Sequence, residues 1–410
     1  MKLPGCAEHV TLSRRGLLGA AALTGLAGAG VSTQLAWADP GYSGDTLVVL
    51  SLHGGFDGLS AIAPIGDPGY YAARPTIALP KSQVIAGDGT FGLHPALAPL
   101  LPLWKAGDLA AVHAVGQPNP TRSHFAAMEA MENAAPGSSI RSGWLDRMLG
   151  GTGATGPLAG ASIGAAMPAR LLAGPVPAVS MAAIDKFKLA GDSAKRPMAE
   201  ALRRMYADAP APLAGPALAA GRTLAGTASI PAAGGTAYPD TDLGAALRDV
   251  ARLIKAKVGL VTAAVDSGDW DMHDSLGTAV KGQRMHDNLT DLSLALAAFA
   301  ADLGPAAMNS VTLLTVSEFG RRVRENASRG ADHGHGNAML LLGGGIRGGK
   351  VYADWPGLSP AALVAGDLAA TTDYRSVIGE ILQKRCGFGT LSEVFPGVKP
   401  SAFGLAAART

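Results

Sequence analysis

Short apolar runs alternate with longer amphipathic stretches along most of this chain. Residues 46–52 (TLVVLSL) form a β-rich apolar run closed by His53-Gly54-Gly55, which predicts a buried strand. Residues 94–105 carry helical apolar spacing, and 109–115 read as a second strand. Pro118-Asn119-Pro120 then breaks the chain before a helix over 121–133, with a hydroxyl near its start. From Leu243 the alternation is regular. A helix over 243–257 leads to a strand over 258–265 and a polar loop, 266–280. A helix over 282–302 leads to a strand over 311–316 and a second polar loop. A strand over 338–342 and a helix over 374–384 close the pattern. This order predicts an α/β fold: a doubly wound, mainly parallel sheet with helices on both faces. In such sheets, polar residues that follow strands gather at the carboxyl edge, where ligands bind.

Residues 150–240 break the rhythm. They are rich in Ala, Gly and Pro, with one clear helix near 194–207, and read as an insertion or cap on a single domain spanning 39–410. The chain has 410 residues, 48% of them hydrophobic and 16% charged, enough for one large α/β domain with a sizeable core.

The first 38 residues read as a removable leader. Ser13-Arg14-Arg15-Gly16-Leu17-Leu18 carries the paired arginines of a twin-arginine signal. A weakly apolar run follows to about Val31, and Ala36-Trp37-Ala38 offers a cleavage site before Asp39. That run is too short and too weakly apolar for a span, which needs about 20 strongly apolar residues. The expectation is therefore a periplasmic or secreted protein that meets the twin-arginine translocase during export and keeps no stable membrane span after cleavage. Losing Lys2, Arg14, Arg15 and Glu8 takes the net charge from +2 to zero. The mature chain then has no basic bias, which argues against nucleic-acid partners. Cys6 leaves with the leader, so Cys386 is alone and no intramolecular disulfide is expected.

Candidate chemistry collects after the predicted strands. Asp332-His333-Gly334-His335-Gly336 packs a carboxylate and two imidazoles into a flexible loop, a donor set suited to a borderline metal such as zinc. Asp269-Trp270-Asp271-Met272-His273 offers a second such pair, His273 with Asp271 two residues before it or with Asp269 four before it. His53-Gly54-Gly55-Phe56-Asp57-Gly58 aims Asp57 over the sheet edge or uses it as a helix cap. Glu318 ends a strand. Ser123 falls at a helix start, where free N–H groups favour an anion, with Arg122 beside it to grip one. Taken singly, each of these has a plainer reading as a cap or a solvated turn; their joint placement on one edge favours a site. His94 reads as a cap, His113 as a core residue, and His286 as part of a helix face. Walker A, G-x-S-x-G, H-E-x-x-H and C-x-x-C signatures are absent.

These motifs together resemble a bacterial family known as domain of unknown function 1501, in the alkaline phosphatase/sulfatase-like superfamily. The resemblance covers nearly the whole mature chain. It rests on LVVLSLHGGFDGL (47–59), PTRSHFAAME (120–129), WDMH (270–273), SEFGR (317–321), DHGHGNAMLLLGGGIRGG (332–349) and DYRSVIGEIL (373–382). It implies an alkaline phosphatase-like core with a two-metal centre, a Ser, Thr or modified Cys nucleophile, and hydrolysis of phosphate or sulfate esters. By position, Asp57 resembles the first-strand metal ligand, Ser123 the nucleophile, and Asp271 with His273 the Asp-and-His pair. Either His333 or His335 resembles the late His. Where active members place Asp-His, this chain has Glu318-Phe319, which implies that Glu318 and the Asp332–His335 cluster substitute, or that one metal site is lost. No C/S-x-P-x-R context for formylglycine is present.

The expected protein is an exported metal-dependent hydrolase of small anionic phosphate, or related sulfate or phosphodiester, esters. It would use one or two divalent, zinc-like ions at Asp57, Asp271, His273, Glu318, Asp332, His333 and His335 or a subset, with Ser123 and Arg122 catalytic. The alternative is a non-catalytic envelope binding or assembly protein on a degenerate phosphatase-like scaffold.

Overall fold

A computed structural model describes residues 42–409 other than 120, 155, 166, 194 and 400. The leader, and with it the twin-arginine reading, lies outside the described residues. In chain order the strands are β1 (Thr46–Leu52), β2 (Ile62–Ala63), β3 (Gly92–Leu93), β4 (Leu109–Gly116), β5 (Gly160–Ile163) and β6 (Val179–Met181). They continue with β7 (Thr262–Ser267), β8 (Val311–Val316), β9 (Asn337–Gly343), β10 (Val351–Tyr352) and β11 (Thr372–Asp373). The helices are α1 (Gly58–Ala61), α2 (Pro68–Ala73), α3 (Leu101–Ala106), α4 (His124–Asn133) and α5 (Trp144–Thr152). After them come α6 (Met198–Ala207), α7 (Ala211–Ala228), α8 (Asp242–Lys255), α9 (Arg284–Met308) and α10 (Tyr374–Arg385).

β1 lies at the centre of a nine-stranded sheet ordered β10-β4-β9-β8-β1-β7-β5-β6, with β11 extending β4. Every pairing in it is parallel except those of β9, which runs antiparallel to both β8 and β4. That reversal matters for the site. It brings the amino end of β9, and the polar loop before it, to the edge where the other strands have their carboxyl ends.

Strand residues alternate between two covered faces. Leu47, Val49, Val112, Leu314 and Leu341 join Trp144 and Met148 of α5 and Ile378 and Ile381 of α10 in one core. α8 and α9 pack on each other and against β7 and β8, and so cover the other face. α8 shows how the sequence sets such a helix. Thr241 caps its start by accepting from the Gly244 N–H at 3.1 Å, Arg252 and Lys255 end it, and Leu243, Leu247, Val250 and Leu253 form its buried stripe. Each such fully buried aliphatic side chain contributes roughly 1.5–3 kcal/mol.

The structure shows the expected doubly wound, mainly parallel α/β architecture. Its differences from the sequence reading are local. The helix expected over 94–105 starts as a 3-10 segment, Pro95–Leu100, and becomes α3 only afterwards, because Pro95, Pro99 and Pro102 supply no N–H. The helix expected over 282–302 continues to Met308 past a break at Gly304, where φ is 70° before Pro305. The Ala/Gly/Pro-rich stretch is not one inserted piece. Its first part supplies β5 and β6 to the main sheet, and residues 185–229 form a compact unit of their own in which α6 packs on α7.

Candidate metal centre

Four segments meet at the carboxyl edge: the turn after β1, the loop after β7, the loop after β8 that runs into β9, and the start of α4. Close approach depends on glycine at the first. Gly54 has φ +113°, and a Cβ there would sit 2.5 Å from the Asp271 backbone nitrogen. Its N–H donates to Glu318 Oε1 at 2.9 Å, joining the first turn to the end of β8.

Three imidazoles converge on Asp271, each held from behind. His124 Nδ1 faces Glu318 Oε1 at 2.7 Å, His273 Nδ1 faces Asp332 Oδ1 at 2.8 Å, and His333 Nδ1 faces the Arg122 carbonyl at 2.8 Å. Carboxylate and carbonyl oxygens only accept, so each Nδ1 carries the proton and each Nε2 of a neutral ring presents a lone pair forward. His333 and His273 meet Nε2 to Nε2 at 2.9 Å, and both lie close to Asp271 Oδ1, at 3.3 and 3.0 Å. His124 Nε2 is buried without a hydrogen-bond partner, 3.6 Å from Asp271 Oδ2. Burial holds the His333 imidazole below its ordinary value, which keeps that ring neutral.

Lone pairs gathered around a carboxylate repel one another unless a cation lies between them. Donor atoms of His124, Asp271 and His333 all lie within 4.8 Å of one another, and His273 adjoins them. Imidazole and carboxylate donors, each imidazole oriented by an acceptor on its other nitrogen, fit a zinc-like ion. The site would be held by His124, Asp271 and His333, with His273 beside them.

The other residues expected as ligands are engaged elsewhere. Asp57 is buried on Arg74: Nη1 donates to Oδ2 at 2.6 Å, Nη2 to Oδ1 at 2.9 Å, and Ser60 Oγ adds a third bond at 2.6 Å. Burial alone would raise its pKa, but the Arg74 guanidinium overturns that and holds the carboxyl below its ordinary value. Asp57 is thus a structural anchor, with its oxygens taken. Glu318 and Asp332 stand behind His124 and His273 as orienting carboxylates. Of the two loop histidines, His333 joins the cluster, while His335 Nε2 bonds the Gln117 carbonyl at 2.6 Å. Phe319 packs its ring 4.8 Å from those of both His124 and His333, so it walls the cluster.

Arg321, which closes the SEFGR segment, is fully committed. Its guanidinium donates to the carbonyls of Gly54, Gly55, Trp270 and Ala331 and to Asp271 Oδ1 at 2.6 Å. This contact outweighs burial and takes Asp271 down to about 2. Ser123 is exposed at the N-cap of α4, its hydroxyl making no capping bond, one residue before His124. Arg122 reaches Asp367 Oδ2 at 2.6 Å, and Arg322 reaches the other oxygen of Asp367 at 3.3 Å, so two guanidiniums share one buried carboxylate next to the cluster.

Sequence reasoning missed His124, although it stands next to Ser123 at a helix start. The signal was the Ser-His pair itself, read only for its hydroxyl. It also missed Arg74, 17 residues from its partner Asp57, for which no local pattern exists.

Residues 109–379 match the family described as "Protein of unknown function (DUF1501)", and the chain belongs to that family. No curated protein matches the chain. Among solved structures it is similar to the lipoteichoic acid synthase LtaP from Listeria monocytogenes, at 9% identity and a TM-score of 0.33, over 80% of this chain and 74% of that one. It is also similar to Ps i-CgsB, at 10% identity and a TM-score of 0.36, over 86% and 74% of the two chains. Both are too distant to assign a chemistry to this chain.

Proposed function

We propose that this chain is an exported metal-dependent hydrolase of phosphate, or related sulfate or phosphodiester, esters. The observation that carries the reading is the set of three imidazole Nε2 atoms turned toward Asp271, one of them buried and unpartnered. A bound divalent ion supplies a Lewis acid that offsets charge on an ester oxygen. The chain's own groups supply the rest. Ser123, one residue before His124, presents an exposed hydroxyl with no capping bond at the positive end of a ten-residue helix. Arg122 and Arg322, sharing one carboxylate, leave net positive charge beside the cluster to attract an anionic ester. Export through the twin-arginine pathway, with cleavage after Ala38, completes the reading.

The test is metal analysis of the purified mature protein together with turnover of an aryl phosphate and a phosphodiester. Metal with turnover that disappears in His124→Ala supports the proposal. Absence of metal from protein made in a metal-replete export host overturns it. The second reading, a metal-binding envelope protein without chemistry, is favoured by one observation: the Ser123 hydroxyl makes no capping bond and none to a base among the described residues. Metal content with no turnover across an ester panel would select it. Recovery of the protein in the periplasm with Asp39 at its amino terminus checks the export reading.

A further inference from the structure

The arrangement around Asp271 bears on how many ions the centre takes. We propose that it takes a single divalent ion, held by Nε2 of His124, His273 and His333 and by the Asp271 carboxylate, with the Arg321 guanidinium as a permanent second cation on the same carboxylate. This rests on the reading that the cluster binds metal at all.

The other carboxylates and imidazoles expected as ligands, Asp57, Glu318, Asp332 and His335, each have a protein partner. Arg74 takes both oxygens of Asp57, and neither side chain is exposed beyond 3%. Glu318 spends Oε1 on the Gly54 N–H and His124, and accepts from Ser317 Oγ on Oε2 at 3.2 Å. Asp332 Oδ1 receives His273 and Asn326. His335 is bonded to a backbone carbonyl, and His53 to Asp266 at 3.1 Å. One set of lone pairs faces Asp271, enough for one four-coordinate ion; Nδ1 of His53 and of His335 is also unpartnered, but neither residue belongs to the cluster.

Electrostatics excludes a second ion on the far side of Asp271. Arg321 is fully buried and is fixed by four carbonyls besides Asp271. A second dication on the Arg321 side of Oδ1 would displace those bonds or face a guanidinium at contact distance in a partly desolvated site. Arg321 is therefore a positioning residue. It fixes Oδ1 of Asp271 and leaves Oδ2 3.6 Å from His124 Nε2.

Imidazole donors favour a borderline ion over magnesium or calcium. Cobalt(II) is then a suitable probe, because its visible absorption reports coordination independently of activity. The mature protein, stripped by chelator, should develop the intense band of a four-coordinate site and saturate at one equivalent. His124→Ala, His273→Ala and His333→Ala should each weaken binding at least tenfold and change the band, while His335→Asn should still saturate at one equivalent. Saturation at two equivalents overturns the single-ion proposal and leaves the metal reading intact. No band and no binding overturns both. Loss of binding in His335→Asn with retention in His273→Ala overturns the ligand assignment. Saturation at one equivalent without ester turnover supports the single-ion centre and counts against the hydrolase reading.

Discussion

Asp57 and Asp271 stand at the same edge of the same sheet, and the sequence marks both as metal ligands. Their surroundings differ in kind. Asp57 is closed: a buried guanidinium and a hydroxyl fill its oxygens, and nothing is left for a ligand. Asp271 is open: its side chain is 49% exposed, Arg321 donates to Oδ1, which His273 and His333 also approach, and His124 faces Oδ2. A carboxylate with every lone pair matched by protein donors holds a fold together, whereas one left partly unmatched among lone pairs is a place for a cation. Glu132 is a third case. It is buried, and its Arg170 partner stands off at 3.5 Å, so burial pushes it up to about 7 despite the lowering pull of His53 and Arg170.

The largest expected effect comes from opening the closed pair. Arg74→Met strands a buried carboxylate, and chemical denaturation should show a loss of about 3–5 kcal/mol. The cobalt equivalence of the molecules that fold should stay the same. A variant that loses metal without losing stability would erase the distinction between the two aspartates.

Next comes the carboxylate without a close guanidinium. Because burial raises the folded value of Glu132, its contribution is present below about pH 4.5 and is lost as pH rises through about 7. The wild type should lose up to about 3 kcal/mol across that window through this group. Glu132→Gln should flatten that part of the profile in denaturant melts at pH 5 and pH 8. An unchanged profile would mean that Arg170 moves in and neutralises the group.

At the open carboxylate, His333→Ala should lower metal affinity by about a hundredfold or more and reduce ester turnover in step, while the melting midpoint of metal-free protein moves little. Equal metal content in variant and wild type would remove His333 from the centre. The smallest effect is expected one layer out. Glu318→Gln keeps the shape behind His124 but weakens its orientation, so affinity should fall by about tenfold with the single equivalence preserved. An effect as large as that of His333→Ala would instead make Glu318 itself a ligand.

Much of this was legible in the chain. Periodicity fixes β1, β8 and α8 because an apolar run or a one-faced stripe has few ways to be buried, and the alternation of strands with helices predicts a parallel sheet. The Asp271-His273 and Asp332-His335 motifs announce metal-type donors without tertiary information. Four things needed the folded molecule, each for a definite physical reason. The reversed direction of β9 decides that a loop preceding a strand joins loops that follow strands, and hydropathy carries no strand direction. The choice of His333 over His335 depends on which ring meets the Gln117 carbonyl across 218 residues. The recruitment of His124 depends on Glu318 behind it, 194 residues away. The fate of Asp57 is decided by Arg74 and that of Asp271 by Arg321, through contacts that leave no spacing in sequence. The sequence by itself determined which chemistry this edge could carry. Only the tertiary structure decided which carboxylate is already neutralised by protein and which is left for a metal, because a carboxylate's availability depends on what fills its lone pairs, not on where it stands in the chain.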